Sequence, residues 1–269
     1  MNYLFWNTNK KPVNNVIMKM IIDLECDVIG LAEYTDNIQE LIGELWIKGH
    51  YLYEVPQIGC DRIHILTRFE LEDINHYNEQ SFFTIKEIPH ATLGRHMVVF
   101  VHLASKLHVN EYDHISQVVE LKSAIEESEI KADNKKTIVV GDFNMNPFEE
   151  PMIMAQGLHS LSCRKVASKI DRIVRGKHYS MFYNPMWNFL GDNMTPPGTY
   201  YYSKAIQANY FWNTFDQVLI RPELINQLDI DSIKIVNEIS SFRLDNRVGM
   251  PKLSDHYPLF FKLGGVKYE

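Results

Sequence analysis

The sequence predicts an α/β domain whose sheets are covered by helices, and three observations point that way. Short apolar runs alternate with stretches whose apolar residues recur every three or four positions. The runs are rich in β-branched and aromatic residues, and most end beside a polar residue. At 269 residues, 45% of them apolar, the chain can bury a full core as one domain over residues 1–269.

In chain order, residues 3–6 form a first strand, and Val13, Val16, Ile17, Met20, Ile21 and Leu24 then have the spacing of a helix with one buried face. Residues 28–31 form a second strand ending at Glu33, and Ile38, Leu41, Ile42 and Leu45 mark a second amphipathic helix. Further strands are expected at 63–67, 82–85, 97–103, 137–140, 218–220 and 259–261. Ile115, Val118, Val119 and Ile125 mark a helix that Asp113 would cap. Asn184–Pro185 and Thr195–Pro196–Pro197–Gly198 mark loops, and no linker or repeat interrupts the chain.

Composition narrows the setting. No run of eighteen apolar residues occurs, and the opening MNYLFWNTNKK lacks the pattern of a signal peptide, so a soluble, unexported, cytoplasmic protein is expected. Cys26, Cys60 and Cys163 are odd in number and far apart, which fits a reducing compartment and no zinc or disulfide framework. A net charge of −7 argues against a surface that attracts nucleic acid everywhere, while leaving room for one basic patch.

The strongest local signal is the strand that runs through Gly141 into Asp142, Phe143 and Asn144. Alternation puts Asp142 and Asn144 on one face, where a carboxylate could take a proton from water and an amide could hold the nucleophile. An Asx-rich turn would use the same residues. Near the C-terminus, Asp255 and His256 directly precede an apolar strand and suit a metal and a phosphate oxygen respectively; a capped loop is the bland alternative. Asp216, at the mouth of another strand, is the natural partner to orient and charge-stabilise His256. At the other end, Asn7, Asn9 and Glu33 follow short strands and offer the hard oxygen ligands that Mg²⁺ or Mn²⁺ prefers.

Taken in order, Asn7, Glu33, Asp142/Asn144, Asp216 and Asp255/His256 resemble the motif series of the endonuclease/exonuclease/phosphatase superfamily, from residue 5 to about residue 260. The resemblance implies a four-layer α/β/β/α sandwich with two central mixed β-sheets and a site at one edge of the sheets. It implies Glu33 as the main metal carboxylate, with Asn7, Asn9 and Asp255 contributing. It implies Asp142 activating water, Asn144 holding phosphate or nucleophile, and His256 binding phosphate beside Asp216. It further gives His102 a part in protonating the leaving oxygen or stabilising charge, with Asp61 as the acid that orients His102. Asn9 and Phe215–Gln217 depart from the exonuclease III branch, which counts against abasic-site cleavage.

For substrate, Arg164, Lys165, Lys169, Arg172, Arg175 and Lys177 face only Asp171 in their segment, a net charge of +5, and Tyr179, Phe182, Tyr183 and Trp187 follow. Cations beside rings suit a polynucleotide, and Arg247 could add a phosphate contact. Val166, Ile170, Ile173 and Val174 equally allow a helix with a solvated basic face. The tyrosines at 200–202 and the aromatics at 210–212 are expected to pack in the core. A nucleic-acid phosphodiesterase is the leading expectation, with an inositol-phosphate, nucleotide or sphingolipid phosphoesterase as its rival and an inactive binding module as the remote one.

Overall fold

The structure, a computed structural model, describes residues 1–106, 109–192, 196–240 and 242–264. Thr195 of the expected proline-rich loop lies outside the described residues. Two mixed sheets form the centre. The first has the strand order Leu228–Ile235, Leu259–Leu263, Asn2–Asn7, Val28–Ala32, Ile63–Thr67, Tyr53–Val55. The second runs Asn75–Gln80, Phe83–His90, Gly94–His102, Thr137–Asp142, Asp216–Ile220, Phe182–Tyr183, Ser160–Leu161.

The sheets stack through one core, to which Tyr3, Phe5 and Phe261 contribute from the first and Val98, Phe100, Ile138, Val140, Val218 and Ile220 from the second. At Gly30 they approach closely: a Cβ there would lie 2.4 Å from the Phe100 ring, so a strand residue without a side chain is what lets the layers meet at this point. Helices α1 (Asn14–Asp23) and α2 (Ile38–Ile47) cover the first sheet with Ile17, Met20, Leu41 and Leu45, all fully buried. The opposite face of the second sheet, carrying Val99, Val101, Val139 and Leu219, packs against Val118, Leu121 and Ile125 of α3 (Glu111–Ala132). The result is the four-layer α/β/β/α sandwich that the resemblance implied. Among the described residues, no helix is long and apolar enough to cross a membrane.

Three local readings change. Asn110, not Asp113, caps α3: its side chain accepts the Asp113 N–H at 3.1 Å, while Asp113 sits in the first turn, where the helix dipole favours an acid. The strand Asn75–Gln80 escapes sequence reading because its NHYNEQ residues make a polar edge with no apolar alternation. The segment from Arg164 is not one basic helix. It is a single turn, Arg164–Ala167, followed by the antiparallel strands Asp171–Val174 and Lys177–Ser180. Arg175 and Gly176 between them have φ of +48° and +79°, and positive values at both central positions define the hairpin turn that matches strand twist.

Gly141 has no room for a side chain, because a Cβ would stand 1.9 Å from the Val101 carbonyl oxygen, which is backbone and cannot swing away. Gly141→Ala is therefore expected to destabilise the protein by about 2–3 kcal/mol in urea unfolding. It should also lower activity, because the strand it displaces carries Asp142.

Candidate active site

The site is assembled by strand register. Across the second sheet His102 pairs with Asp142, and Asp142 pairs with Asp216, so three neighbouring strands end level with one another. Phe100, Val140 and Val218, two residues back in each strand, belong to the core between the sheets. Period-two alternation then brings His102, Asp142 and Asp216 out on that same face, just beyond the apolar layer. From the first sheet, Asn7 lies two residues past Phe5 and pairs with Ala32, and Glu33 follows with φ of +47°. His256 arrives on the segment before the last strand. Its carbonyl accepts from the Trp6 indole at 3.0 Å and its N–H donates to Ser254 Oγ at 3.1 Å. Ser254 in turn donates to the Asn7 carbonyl at 2.7 Å.

Asp142 is the hub. Its Oδ1 accepts from the Asn144 backbone at 2.8 Å, and its Oδ2 accepts from the Asn7 amide at 3.0 Å and the Asn144 amide at 3.3 Å. The same oxygen lies 3.8 Å from His256 Nε2 and 3.9 Å from His102 Nε2. Glu33 Oε1 is 3.5 Å from both the Asn7 amide nitrogen and His102 Nε2. His256 Nδ1 is bonded to Asp216 Oδ2 at 2.7 Å. One oxygen of Asp142 closes an Asx turn onto Asn144, as the turn reading expects, while the other faces the asparagine amides and the two imidazoles.

Environment separates the two imidazoles. For His256, burial works against the charged ring, but the Asp216 and Asp142 carboxylates outweigh it and push the pKa up to about 10. For His102, burial dominates over the attraction of Asp142 and Glu33, and its pKa lies below the usual histidine value. At neutral pH the site therefore holds one cationic and one neutral imidazole. Burial raises the Asp216 carboxyl against the opposing pull of His256.

The donor chemistry suits a divalent cation. Ligand atoms of Asp142, Asp216 and His256 lie within 4.8 Å of one another, and Asp216 Oδ1 is buried without a hydrogen-bond partner. However, His256 and Asp216 already occupy each other, whereas the Glu33 side chain is 31% exposed at the rim. Glu33 is thus more open to an incoming hard ion than Asp142 or Asp216, whose side chains are 1% and 0% exposed.

Of the residues expected from sequence, Asn7, Glu33, His102, Asp142, Asn144, Asp216 and His256 converge, and half-buried Asp255 adjoins them through Ser254 Oγ at 3.4 Å. Asn9 is placed by its backbone, which donates to Asn7 Oδ1 at 3.0 Å. Asp61 is exposed, and His102 Nδ1, which it was expected to orient, is buried with no hydrogen-bond partner. The basic segment is not brought to the site. It adjoins the second sheet through Tyr183, which pairs with Ile220 at the end of its strand opposite Asp216. Lys122 holds the Ser180 carbonyl there at 2.7 Å. Arg164 is engaged with Ile225 and Asn226, and Lys165, Lys169, Arg172, Arg175 and Lys177 are exposed around that distant hairpin. Arg247 is exposed in the loop closed by the Asp245–Pro251 bridge.

The aromatic stretches are only half core. Tyr201 and Trp212 pack together, and Trp212 stacks on buried Tyr257. Tyr200, Tyr202 and Tyr210 instead line a cavity of about 250 Å³ that opens beside Asn144 and Asn146. The Tyr200 ring sits 4.6 Å from that of His256. Alternation along 200–202 was the available signal, with Tyr201 turned one way and its neighbours the other. A second cavity, of about 600 Å³, lies on the Glu33 and His102 side, and Ser105 lines both.

Comparison with known proteins bears on the fold and the family. No curated protein sequence matches the chain. Among solved structures, it is similar to the 3′ phosphatase NExo from Neisseria, determined with a product DNA hairpin, at 15% identity and a TM-score of 0.57 over 98% of this chain and 100% of that one. It is similar to the human Nocturnin catalytic domain at 14% identity and a TM-score of 0.57, covering 97% and 93%. A mannosyl-6-phosphatase from Bacteroides thetaiotaomicron gives 12% identity and a TM-score of 0.54, covering 98% and 99%. At such identities these likenesses speak for the fold. The sequence model of the endonuclease/exonuclease/phosphatase family matches residues 4–256, nearly the whole chain, and the chain belongs to that family.

Proposed function

We propose that this family member is a divalent-metal-dependent phosphodiesterase that cleaves DNA or RNA by attack of water on phosphorus. The observation that carries the reading is the convergence of Asp142, Asn144 and His256 on one sheet edge beside a cavity lined with tyrosines. Flat rings next to a phosphate site suit stacked bases.

Asp142 is the group placed to take the proton from attacking water, with Asn144 and Asn7 fixing its carboxylate. His256, held by Asp216 and positively charged, donates from Nε2 to a non-bridging phosphate oxygen, where negative charge grows in the transition state. Neutral His102, beside Glu33, can donate a hydrogen bond toward the leaving oxygen. Glu33, with Asn7 and Asp255, would hold Mg²⁺ or Mn²⁺, which when bound supplies Lewis-acid neutralisation of the charge on phosphate and leaving group. A reducing, cytoplasmic setting goes with this reading, since all three cysteines are free.

The test is hydrolysis of single- and double-stranded DNA and RNA, phosphoinositides and a generic phosphodiester, each with Mg²⁺, with Mn²⁺ and with EDTA. Metal-dependent cleavage of polynucleotides that is abolished by EDTA is the expected result. Turnover confined to phosphoinositides would replace the polymer with the rival substrate class, and hydrolysis indifferent to EDTA would remove the metal.

A further inference from the structure

The second cavity has an unexplained charge pattern. Three neighbouring strands of the first sheet end there, and their register sets cation, carboxylate and cation side by side. Lys10 follows Asn2–Asn7, and its backbone N–H donates to the Glu33 carbonyl at 2.9 Å. Glu33 follows Val28–Ala32. Ala32 pairs antiparallel with Ile63, so Arg62 lies across from Glu33 on the next strand. Lys10 and Arg62 both line the 600 Å³ cavity with Glu33 and His102.

Neither cation is used internally. The partners of the Glu33 carboxylate are Asn7 and His102, and among the described residues neither the Lys10 nor the Arg62 side chain has an ion pair or hydrogen bond. A scattered surface lysine or arginine would need no explanation. Two unpaired cations set by register on either side of the rim carboxylate, in one cavity continuous with the reacting centre, create a local positive potential on an acidic protein of net charge −7. The phosphate under attack is already provided for on the His256 side, so this potential awaits a different anion.

We infer that Lys10 and Arg62 form a second anion subsite, which takes a phosphate of the substrate other than the one being cleaved. The inference rests on the phosphoesterase reading and deepens it: the preferred substrate carries two or more phosphates, the scissile one at Asp142 and His256 and another over the Glu33 rim. A nucleic-acid strand and a multiply phosphorylated small molecule both present that chemistry. The Lys10 charge can follow either on a flexible stem, while the Arg62 guanidinium can grip two phosphate oxygens at once.

The experiment compares kcat/KM on bis(p-nitrophenyl) phosphate, which has one phosphate, with that on a short oligothymidylate and on an inositol bisphosphate. The double variant Lys10→Gln/Arg62→Gln is set against a control, Lys165→Gln/Lys169→Gln, in the distant basic segment. Both pairs are exposed, and a thermal melt checks that each variant folds. In the Lys10/Arg62 variant, the ratio of multi-phosphate to single-phosphate kcat/KM is expected to fall about tenfold, and the salt dependence on oligothymidylate to flatten by roughly one to two ions. The substrate whose ratio falls identifies the source of the second phosphate. Unchanged ratios for both multi-phosphate substrates, or an equal fall in the control, overturn the subsite. Failure of the phosphoesterase reading is seen separately, as wild-type protein that turns over none of the three with Mg²⁺ or Mn²⁺. In that event, fluorescence anisotropy of labelled oligothymidylate decides the subsite by binding alone, with equal affinity of wild type and the Lys10/Arg62 variant counting against it.

Discussion

Asp142→Asn is expected to lower kcat on a phosphodiester by on the order of 10³ while the protein stays folded. The carboxylate is 1% exposed and reaches both asparagine amides and, at 3.8–3.9 Å, both imidazoles. An amide in its place keeps the size and can still accept the Asn144 N–H that closes the turn, but it cannot take a proton from water. Its NH₂ would also confront the Asn7 NH₂, which now donates to Oδ2 at 3.0 Å. Rotating Asn7 to relieve the clash would forfeit the Asn9 N–H bond to its carbonyl. Part of the loss therefore comes from misplacing Asn7 beside Glu33, and it should appear as weaker metal activation as well as lower kcat. Steady-state rates across a Mg²⁺ titration up to saturation, with circular dichroism to confirm the fold, measure both. A variant within threefold of wild type would remove Asp142 from the reaction.

The reason so much of this site is legible in the sequence is also physical. Each reacting group sits where a strand meets the edge of the apolar layer, so the adjoining hydrophobic run flags its position and alternation fixes its face. Asn7, Glu33, Asp142, Asp216 and His256 are all reached in this way. What alternation cannot supply is which strands are neighbours. Arg62 too adjoins a strand, but nothing local relates it to Glu33 until the antiparallel pairing of Ala32 with Ile63 is known. The basic segment misleads for the converse reason. Its charges are dense in sequence, but pairing of Tyr183 with Ile220 anchors it to the far end of the sheet. The tyrosines at 200 and 202 read as core because an aromatic strand residue looks the same whether it packs on a sheet or lines a cavity.

Asp216→Asn carries the second large effect, and it separates a charge role from a merely structural one. The His256 proton is retained at neutral pH because three carboxylates, Asp216 first, then Asp142 and Asp255, overcome a burial that would otherwise expel it. Removing the Asp216 charge leaves the burial in place with only the weaker pull of Asp142 and Asp255 to oppose it, so the pKa of His256 must fall. A raised histidine pKa keeps the cation below that pKa and loses it as pH rises through it. In the wild type, phosphate stabilisation by His256 should persist through neutral pH and fail only toward pH 10. In Asp216→Asn the descending alkaline limb of kcat/KM should move to lower pH by at least about one unit, with a loss that reaches about tenfold on the alkaline side for each pH unit the limb moves and shrinks as the solution is acidified. The shape matters more than the size. If Asp216 only held the ring in place through its 2.7 Å bond, the asparagine, which can still accept from Nδ1, would preserve the profile. A variant with the wild-type alkaline limb, at whatever rate, would show that the buried carboxylate does not set the charge of His256.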